Sequence, residues 1–280
     1  MKIAYLGPEG SYSHLAARAF LEQETPTAGN WNECMPFRNF ADALNAVATG
    51  KADACAIPIE NSLQGSVAQN LDLLQELDDL YAIKEYILRI DHRLVYKEGV
   101  SLSEIGRVYS HGQALGQCSE FLSKRMPFAS LRETESTAFG LNKAMEDDSG
   151  RSAAIAGAHV ENLRPGFVVG EECLSDEKHN FTHFLLVRKG KEKLPSVSNR
   201  LFFSVVCPNK PGSLLSLLKI IADYNVDMTK LESRPVKNSP GEFRFFIEAA
   251  YNVADESFAS FFAKIQENTL ECKILGVYTR

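Results

Sequence analysis

The sequence lacks any apolar run approaching the ~18 residues that a membrane-crossing helix needs, so no such helix is expected. It opens on Met1-Lys2-Ile3-Ala4-Tyr5-Leu6, a strand pattern that runs straight into Gly7-Pro8. The charged region and long apolar stretch of an export leader are missing there, and a cytoplasmic location is expected. Cysteines stand at 34, 55, 118, 173, 207 and 272, without a Cys-x-x-Cys pair. That spacing suggests neither a zinc site nor a disulfide framework, and reduced thiols are expected. Positive charge is in deficit, with 30 Lys and Arg against 36 Asp and Glu, a net charge of −6. A broad nucleic-acid surface is thereby disfavoured, and an anionic ligand would have to be held by a local positive potential. No Walker loop, dinucleotide Gly-x-Gly-x-x-Gly or His-Glu-x-x-His occurs. No cofactor and no metal are expected, and no local signature supports a Cys-His nucleophile pair.

What is present is the composition of an ordinary globular protein, 45% hydrophobic and 24% charged over 280 residues, long enough for two domains. From Lys2 to Val187 short apolar runs alternate with helical patterns, which implies βαβ units and mostly parallel sheets. Strands are expected at Lys2–Leu6, Ala52–Ile59, Arg107–Ser110, Phe128–Thr134, Ala153–Ala156 and Thr182–Val187. Helices are expected at Tyr12–Glu22, after Asn39, around Val67, Leu71 and Leu74, and at Leu115–Leu122, Ser136–Met145 and His159–Leu163. Tyr86–Tyr96 alternates apolar and polar residues throughout and reads as one long strand passing between lobes. The polar stretch 189–199 reads as a linker. Beyond it the order strand, helix, strand, strand, helix, strand over 200–280 describes a ferredoxin-like split βαβ unit.

The chemistry-bearing residues gather at strand-to-helix turns, where open α/β sheets bind ligands. Gly7-Pro8-Glu9-Gly10-Ser11-Tyr12-Ser13 is one such turn, and Ser11 and Ser13 can cap the helix or bind a carboxylate. Ile59-Glu60-Asn61-Ser62-Leu63-Gln64-Gly65-Ser66 is a second, in which Asn61, Ser62 and Ser66 are neutral donors, with Ser66 also placed to cap the next helix. His111-Gly112-Gln113-Ala114-Leu115 is a third, where His111 is either a ligand contact or a structural hydrogen-bonding residue. Ser136-Thr137 reads as a plain cap. His14, His92, His159 and His179 show no ligand spacing and read as structural or solvated. Asn180-Phe181-Thr182-His183-Phe184, taken alone, is a strand with one hydroxyl.

Together these segments resemble the monofunctional prephenate dehydratase family, and the resemblance covers the whole chain. It implies an α/β fold: a type II periplasmic-binding-protein-like domain of two lobes around a cleft (1–188), then an ACT regulatory domain (200–280). It implies decarboxylative dehydration of prephenate to phenylpyruvate with Thr182 as the catalytic residue. Ser11, Ser13, Asn61, Ser62, Gly65, Ser66, His111 and His183 would shape the substrate site. His183 stands where the family usually has arginine, and Gly112 where it usually has proline. In the second domain Pro211-Gly212-Ser213-Leu214-Leu215, with Asn209, resembles the family's effector loop, and Glu232-Ser233-Arg234-Pro235 its Glu-Ser-Arg-Pro motif. These imply feedback inhibition by L-phenylalanine and a homodimer or homotetramer assembled through ACT domains. Arogenate dehydratase and a non-catalytic, two-lobed amino-acid-sensing module are the competing readings.

Overall fold

The alternating apolar patterns of the N-terminal half fold as β1 (Lys2–Leu6), α1 (Tyr12–Glu24), β2 (Glu33–Phe37), α2 (Phe40–Ala48), β3 (Ala54–Asn61), β4 (Gly65–Ser66), α3 (Ala68–Glu76) and β5 (Leu80–Arg89). They are described in a computed structural model covering residues 1–24, 33–160, 163–190, 198–237, 239–254 and 256–279. Asn39 caps α2, its side chain accepting from the amide of Asp42 at 2.7 Å, while Ala43, Leu44, Ala46 and Val47 are buried. The second lobe comprises β6 (His92–Lys97), β7 (Arg107–His111), α4 (Gly112–Gly116), α5 (Ser119–Arg125), β8 (Ser130–Thr134), α6 (Thr137–Met145), β9 (Ser152–Gly157) and β10 (Phe167–Val169), in the sheet order β10-β6-β9-β7-β8. The chain then returns as β11 (Phe181–Lys189), antiparallel to both β3 and β5.

The crossovers depart from the sequence reading in informative ways. Tyr86–Tyr96 is not one strand. It divides at Ile90-Asp91, because Arg89 still pairs with Phe181 in the first sheet whereas His92 pairs with Gly157 in the second. Asp91 stabilises the bend by accepting from Nε and one terminal nitrogen of the Arg93 guanidinium, at 2.9 and 2.6 Å. Alternation survives the bend, which is why the pattern looked continuous. Leu115–Leu122 is likewise two short helices, and the break frees Gln117, the residue after α4. Ser66 lies in β4 and does not cap α3, whose preceding residue, Val67, has no hydroxyl. His159 lies in a turn where a short helix was expected; residues 161 and 162 of that segment lie outside the described residues.

The C-terminal unit is β12 (Arg200–Val206), α7 (Ser213–Asp223), β13 (Asp227–Pro235), β14 (Phe243–Ala250), α8 (Phe258–Glu267) and β15 (Glu271–Tyr278). Its sheet is not separate from that of the first lobe. The strands run in the continuous order β13-β14-β12-β15-β5-β11-β3-β1-β2, the junction being a parallel pairing of Gly276 with Ala82. A methyl group built on Gly276 would lie 2.5 Å from the Ala82 Cβ and 2.8 Å from its carbonyl oxygen, so the close approach needs glycine.

Side-chain alternation along β12 explains how the two units share a core. Leu201, Phe203 and Val205 pack with residues of α7 and α8, whereas Phe202 turns to the opposite face. There Phe202, Phe246, Leu275 and Tyr278 join a cluster with Leu71, Leu74, Leu185 and Val187 of the first lobe. Lys273 closes the end of α3 by donating to the carbonyls of Leu74, Gln75 and Leu77 at 3.2, 2.8 and 3.0 Å. Of the linker expected over 189–199, Lys189 ends β11 and residues 191–197 lie outside the described residues. Ser198 is buried, accepting from the amide of Val253.

Candidate active site

The cleft between the lobes has a volume of about 500 Å³. Its walls come from the beginnings of four helices (Ser11, Tyr12 and Ser13 at α1, Phe40 at α2, His111, Gln113 and Ala114 at α4, Ser136 and Thr137 at α6) and from the crossovers beside them. Helix starts present unpaired N–H groups and the positive end of the peptide dipoles, a suitable lining for an anion in a protein of negative net charge.

Thr182 lies at the floor, two residues into β11 and directly opposite Asn61 of β3. The Asn61 carboxamide cannot be turned round: its Oδ1 accepts from the backbone amides of Leu63 and Gln64, at 3.1 and 3.2 Å. Its Nδ2 therefore faces three acceptors with two hydrogens: Asn180 Oδ1 at 2.9 Å, Thr182 Oγ1 at 3.0 Å and, sharing one of those hydrogens, the Phe181 carbonyl at 3.2 Å. Since Thr182 Oγ1 accepts from Asn61, its own proton is directed to whatever occupies the cleft. The network continues across the crossover, with Asn180 Nδ2 donating to Gln117 Oε1 at 3.1 Å, His92 Nε2 meeting the same oxygen at 2.9 Å, and Tyr12 Oη lying 3.0 Å from His92 Nδ1.

Burial holds the His92 imidazole below its ordinary pKa, against the opposing effect of its bond to Gln117. The unfolded chain takes up a proton near pH ~6.5, where the folded protein does not. Stability due to neutral His92 is thus complete above that pH and is lost as pH falls towards the depressed folded value. Between about pH 7.5 and about pH 5.5 the urea midpoint should fall more for the wild type than for His92→Gln, and equal falls would contradict this.

Among the residues expected to bind substrate, Ser11, Ser13, Asn61 and His111 line the cleft with Thr182. Ser11 also caps α1, donating to the Leu6 carbonyl and accepting from the His14 amide, and His111 caps α4. Ser62, Gly65 and Ser66 are not part of the cleft wall. Ser62 ties the β3 turn to β11, donating to the His179 carbonyl and accepting from the Phe181 amide. Gly65 supplies the positive φ of +78° that the turn into β4 requires. Ser66 donates to Glu232 at 3.0 Å and accepts from Lys230, which also pairs with Glu60.

His183 faces away from the cleft, because neighbouring residues of a strand point to opposite faces. It lines a separate cavity of about 220 Å³ at the domain joint, with Nε2 2.9 Å from Glu85 and Nδ1 4.0 Å from Glu248. His183, Glu85 and Glu248 are close enough to share a cation, their ligand atoms lying within 4.8 Å of one another. The Glu248 oxygens are already bonded by Thr229 and Tyr278, and Arg200 lies 3.7 Å away, so the cluster belongs to the joint.

The expected effector residues divide between two places. Asn209, Ser213 and Leu214 line a cavity of about 140 Å³ with Phe243 and Phe245, and Leu215 beside it is exposed. Glu232 and Arg234 instead reach the first lobe, Arg234 pairing with Asp72 at 3.0 Å. Ser233 and Pro235 are exposed on β13, the edge strand of the sheet.

Sequence reasoning passed over Tyr12, Arg38, His92, Gln117, Glu135 and Asn180. Arg38 and Glu135 are the fully charged side chains among the described residues lining the cleft. Tyr12 and Asn180 lay inside the quoted motifs and Gln117 inside the expected helix Leu115–Leu122, where strand and helix period assigns no role to a side chain at a break. Nothing in the local sequence singled out His92.

A family model described as prephenate dehydratase matches residues 3–192. The chain belongs to the prephenate dehydratase family. An ACT-domain model matches residues 202–250 of this prephenate dehydratase family member. The bifunctional chorismate mutase/prephenate dehydratase of Neisseria gonorrhoeae is 34% identical over 278 residues, covering 99% of this chain and 74% of that relative. A crystal structure of prephenate dehydratase from Arthrobacter aurescens in complex with L-Phe superposes with a TM-score of 0.87 at 31% identity, covering 100% of this chain and 90% of that one. GqqA, described as a novel type of quorum quenching acylase, superposes with a TM-score of 0.84 at 26% identity, covering 100% and 97%.

Proposed function

We infer that the enzyme converts prephenate to phenylpyruvate and is inhibited by L-phenylalanine bound to its ACT domain. The observation that carries the chemistry is the Thr182 hydroxyl, held as an acceptor by Asn61 with its proton free for the cleft. In prephenate the bond to the departing carboxylate breaks and its electron pair enters the ring, while the ring hydroxyl leaves with its own pair and takes a proton to become water. Carbon dioxide and phenylpyruvate remain. Aromatisation drives the step, so the protein needs only to orient the dianion, desolvate the departing carboxylate and offer a hydrogen bond to the leaving oxygen. Thr182 is a weak acid in isolation, and donation from Asn61 to its oxygen polarises the O–H. Acyl transfer of the kind named for GqqA would call for a base on the nucleophile, whereas the Thr182 oxygen is bonded by an amide.

Arg38 supports the anionic substrate as the cleft's full cation, and we assign it to a carboxylate. Arg38→Gln should raise KM for prephenate by about 10-fold with kcat changed less, because the lost attraction is shared by ground and transition states. Unchanged KM in steady-state assays would remove Arg38 from the site. Glu135 favours a second reading, arogenate dehydratase, since a carboxylate on the opposite lobe suits the ammonium group that distinguishes arogenate. Comparing kcat/KM for the two substrates, with and without L-phenylalanine, decides between them. Absence of turnover on both would overturn the enzymatic reading, and turnover insensitive to L-phenylalanine the regulatory one.

The division of effector residues within one chain supports a site completed by a second copy, with the β13 edges of two ACT domains adjoining. A homodimer or homotetramer is the corresponding assembly.

A further inference from the structure

We propose that His92 is a positioning residue, whose Nε2–H fixes the Gln117 carboxamide so that its –NH2 faces the substrate. The inference rests on the dehydratase reading and follows from the directions of the hydrogen bonds. Those directions originate at two backbone amides, Leu63 and Gln64, which can only donate and so fix the Asn61 Oδ1 as acceptor. Asn61 Nδ2 then donates to Asn180 Oδ1, which leaves Asn180 Nδ2 to donate to Gln117. The oxygen of Gln117 must be the atom that receives it, and the imidazole nitrogen facing the same oxygen must carry a proton. With Nε2 protonated, neutral His92 presents a bare Nδ1, which accepts from the Tyr12 hydroxyl. The three carboxamides and the imidazole therefore each have one permitted orientation, while the Tyr12 hydroxyl also lies 3.4 Å from the Asp91 carbonyl, a longer approach than its 3.0 Å to Nδ1.

The consequence lies at Gln117. With two donors on its oxygen, its amide nitrogen is left for the cleft that the residue lines. Thr182 and Gln117 thus present donors from opposite sides of the crossover to an anionic ligand. Without the imidazole N–H, Gln117 keeps only the bond from Asn180. Its carboxamide can then rotate to place oxygen against the substrate's negative charge. His92 is suited to this task because it is 3% exposed and lies at the first position of β6, just past the crossover. Tyr12 reaches it from the other lobe because Gly157 leaves space: a methyl group there would be 3.3 Å from the Tyr12 ring.

The test uses the full chain with His92→Leu, His92→Gln, Gln117→Ala and the double variant His92→Leu with Gln117→Ala. Thermal melts establish that each is folded. His92→Leu should lower kcat/KM for prephenate by about 10- to 100-fold, as loss of a supporting partner does elsewhere. His92→Gln can restore a donor near the position of Nε2 and should lie within about threefold of the wild type, well inside that range. In the Gln117→Ala background, replacing His92 should cost no more than about twofold, since its effect passes through Gln117. Additive losses would overturn the proposal, as would His92→Gln behaving like His92→Leu. Nitrogen-15 NMR of the imidazole gives a reading independent of turnover. A proton on Nε2 and none on Nδ1 at neutral pH is expected. The opposite tautomer would sink the proposal, whereas the expected tautomer in a protein inert to prephenate would count against the dehydratase reading instead.

Discussion

Thr182→Val should reduce kcat by about 10²- to 10⁴-fold, the range associated with a positioned proton or hydrogen-bond donor, while leaving the fold intact. The substitution exchanges a hydroxyl for a methyl of similar size. Asn61 Nδ2 loses one acceptor but retains the Asn180 side chain and the Phe181 carbonyl, at 2.9 and 3.2 Å, so no buried donor is orphaned. KM should change less than kcat, because the bond to the leaving oxygen strengthens only as charge develops on it. Thr182→Ser, which keeps the hydroxyl, should recover much of the rate. Single-turnover measurement of phenylpyruvate formation separates this step from product release. Near-normal turnover in the valine variant would mean that aromatisation proceeds without the hydroxyl and that the cleft works by orientation alone.

Removing residues 191–280 should destabilise the remainder severely as well as abolish response to phenylalanine. Composition and the polar stretch near 189–199 suggest a detachable regulatory unit, whose loss would leave activity untouched. The fold argues otherwise. Truncation would expose the first-lobe side of a core shared with Phe202, Phe246, Leu275 and Tyr278. Each such side chain contributes about 1.5–3 kcal/mol by burial, so the loss approaches the whole stability of many domains. It would also uncap α3, whose last carbonyls bond Lys273, and leave β5 with an open edge. Calorimetry should show one cooperative transition for the full chain and a strongly lowered or absent transition for the fragment. A fragment melting near the full chain would show that the shared core contributes little.

Most elements and their order were legible because each long apolar run carried the period of its structure, whereas β2, β4 and β10 and the divisions of Tyr86–Tyr96 and Leu115–Leu122 were not anticipated. Helix caps at Asn39 and Ser136 could be named from the chain and are formed as bonds. The turn Gly7–Ser13 and the strand end at Asn61, which line the cleft, were also legible, since glycine and small polar residues gather there at the end of a strand. What escaped notice depends on contacts distant in the chain. His92 bonds to Tyr12 across 80 positions and Asn61 to Asn180 across 119. No local period encodes such pairs. The placement of His183 was legible in principle, since alternation along a strand sets its side chain opposite that of Thr182. The resemblance drew attention to its identity rather than its face. Fusion of the two sheets could not be anticipated, because it turns on one glycine whose role is to have no side chain.

That glycine constrains how the regulatory unit could be exchanged. Gly276 meets Ala82 more closely than any larger residue allows. A transplanted ACT module would therefore need the same vacancy at the matching strand position. A graft carrying alanine there would have to splay from its host or slide along β5, and either adjustment would misalign Glu232 and Arg234 from Ser66 and Asp72 on the catalytic side.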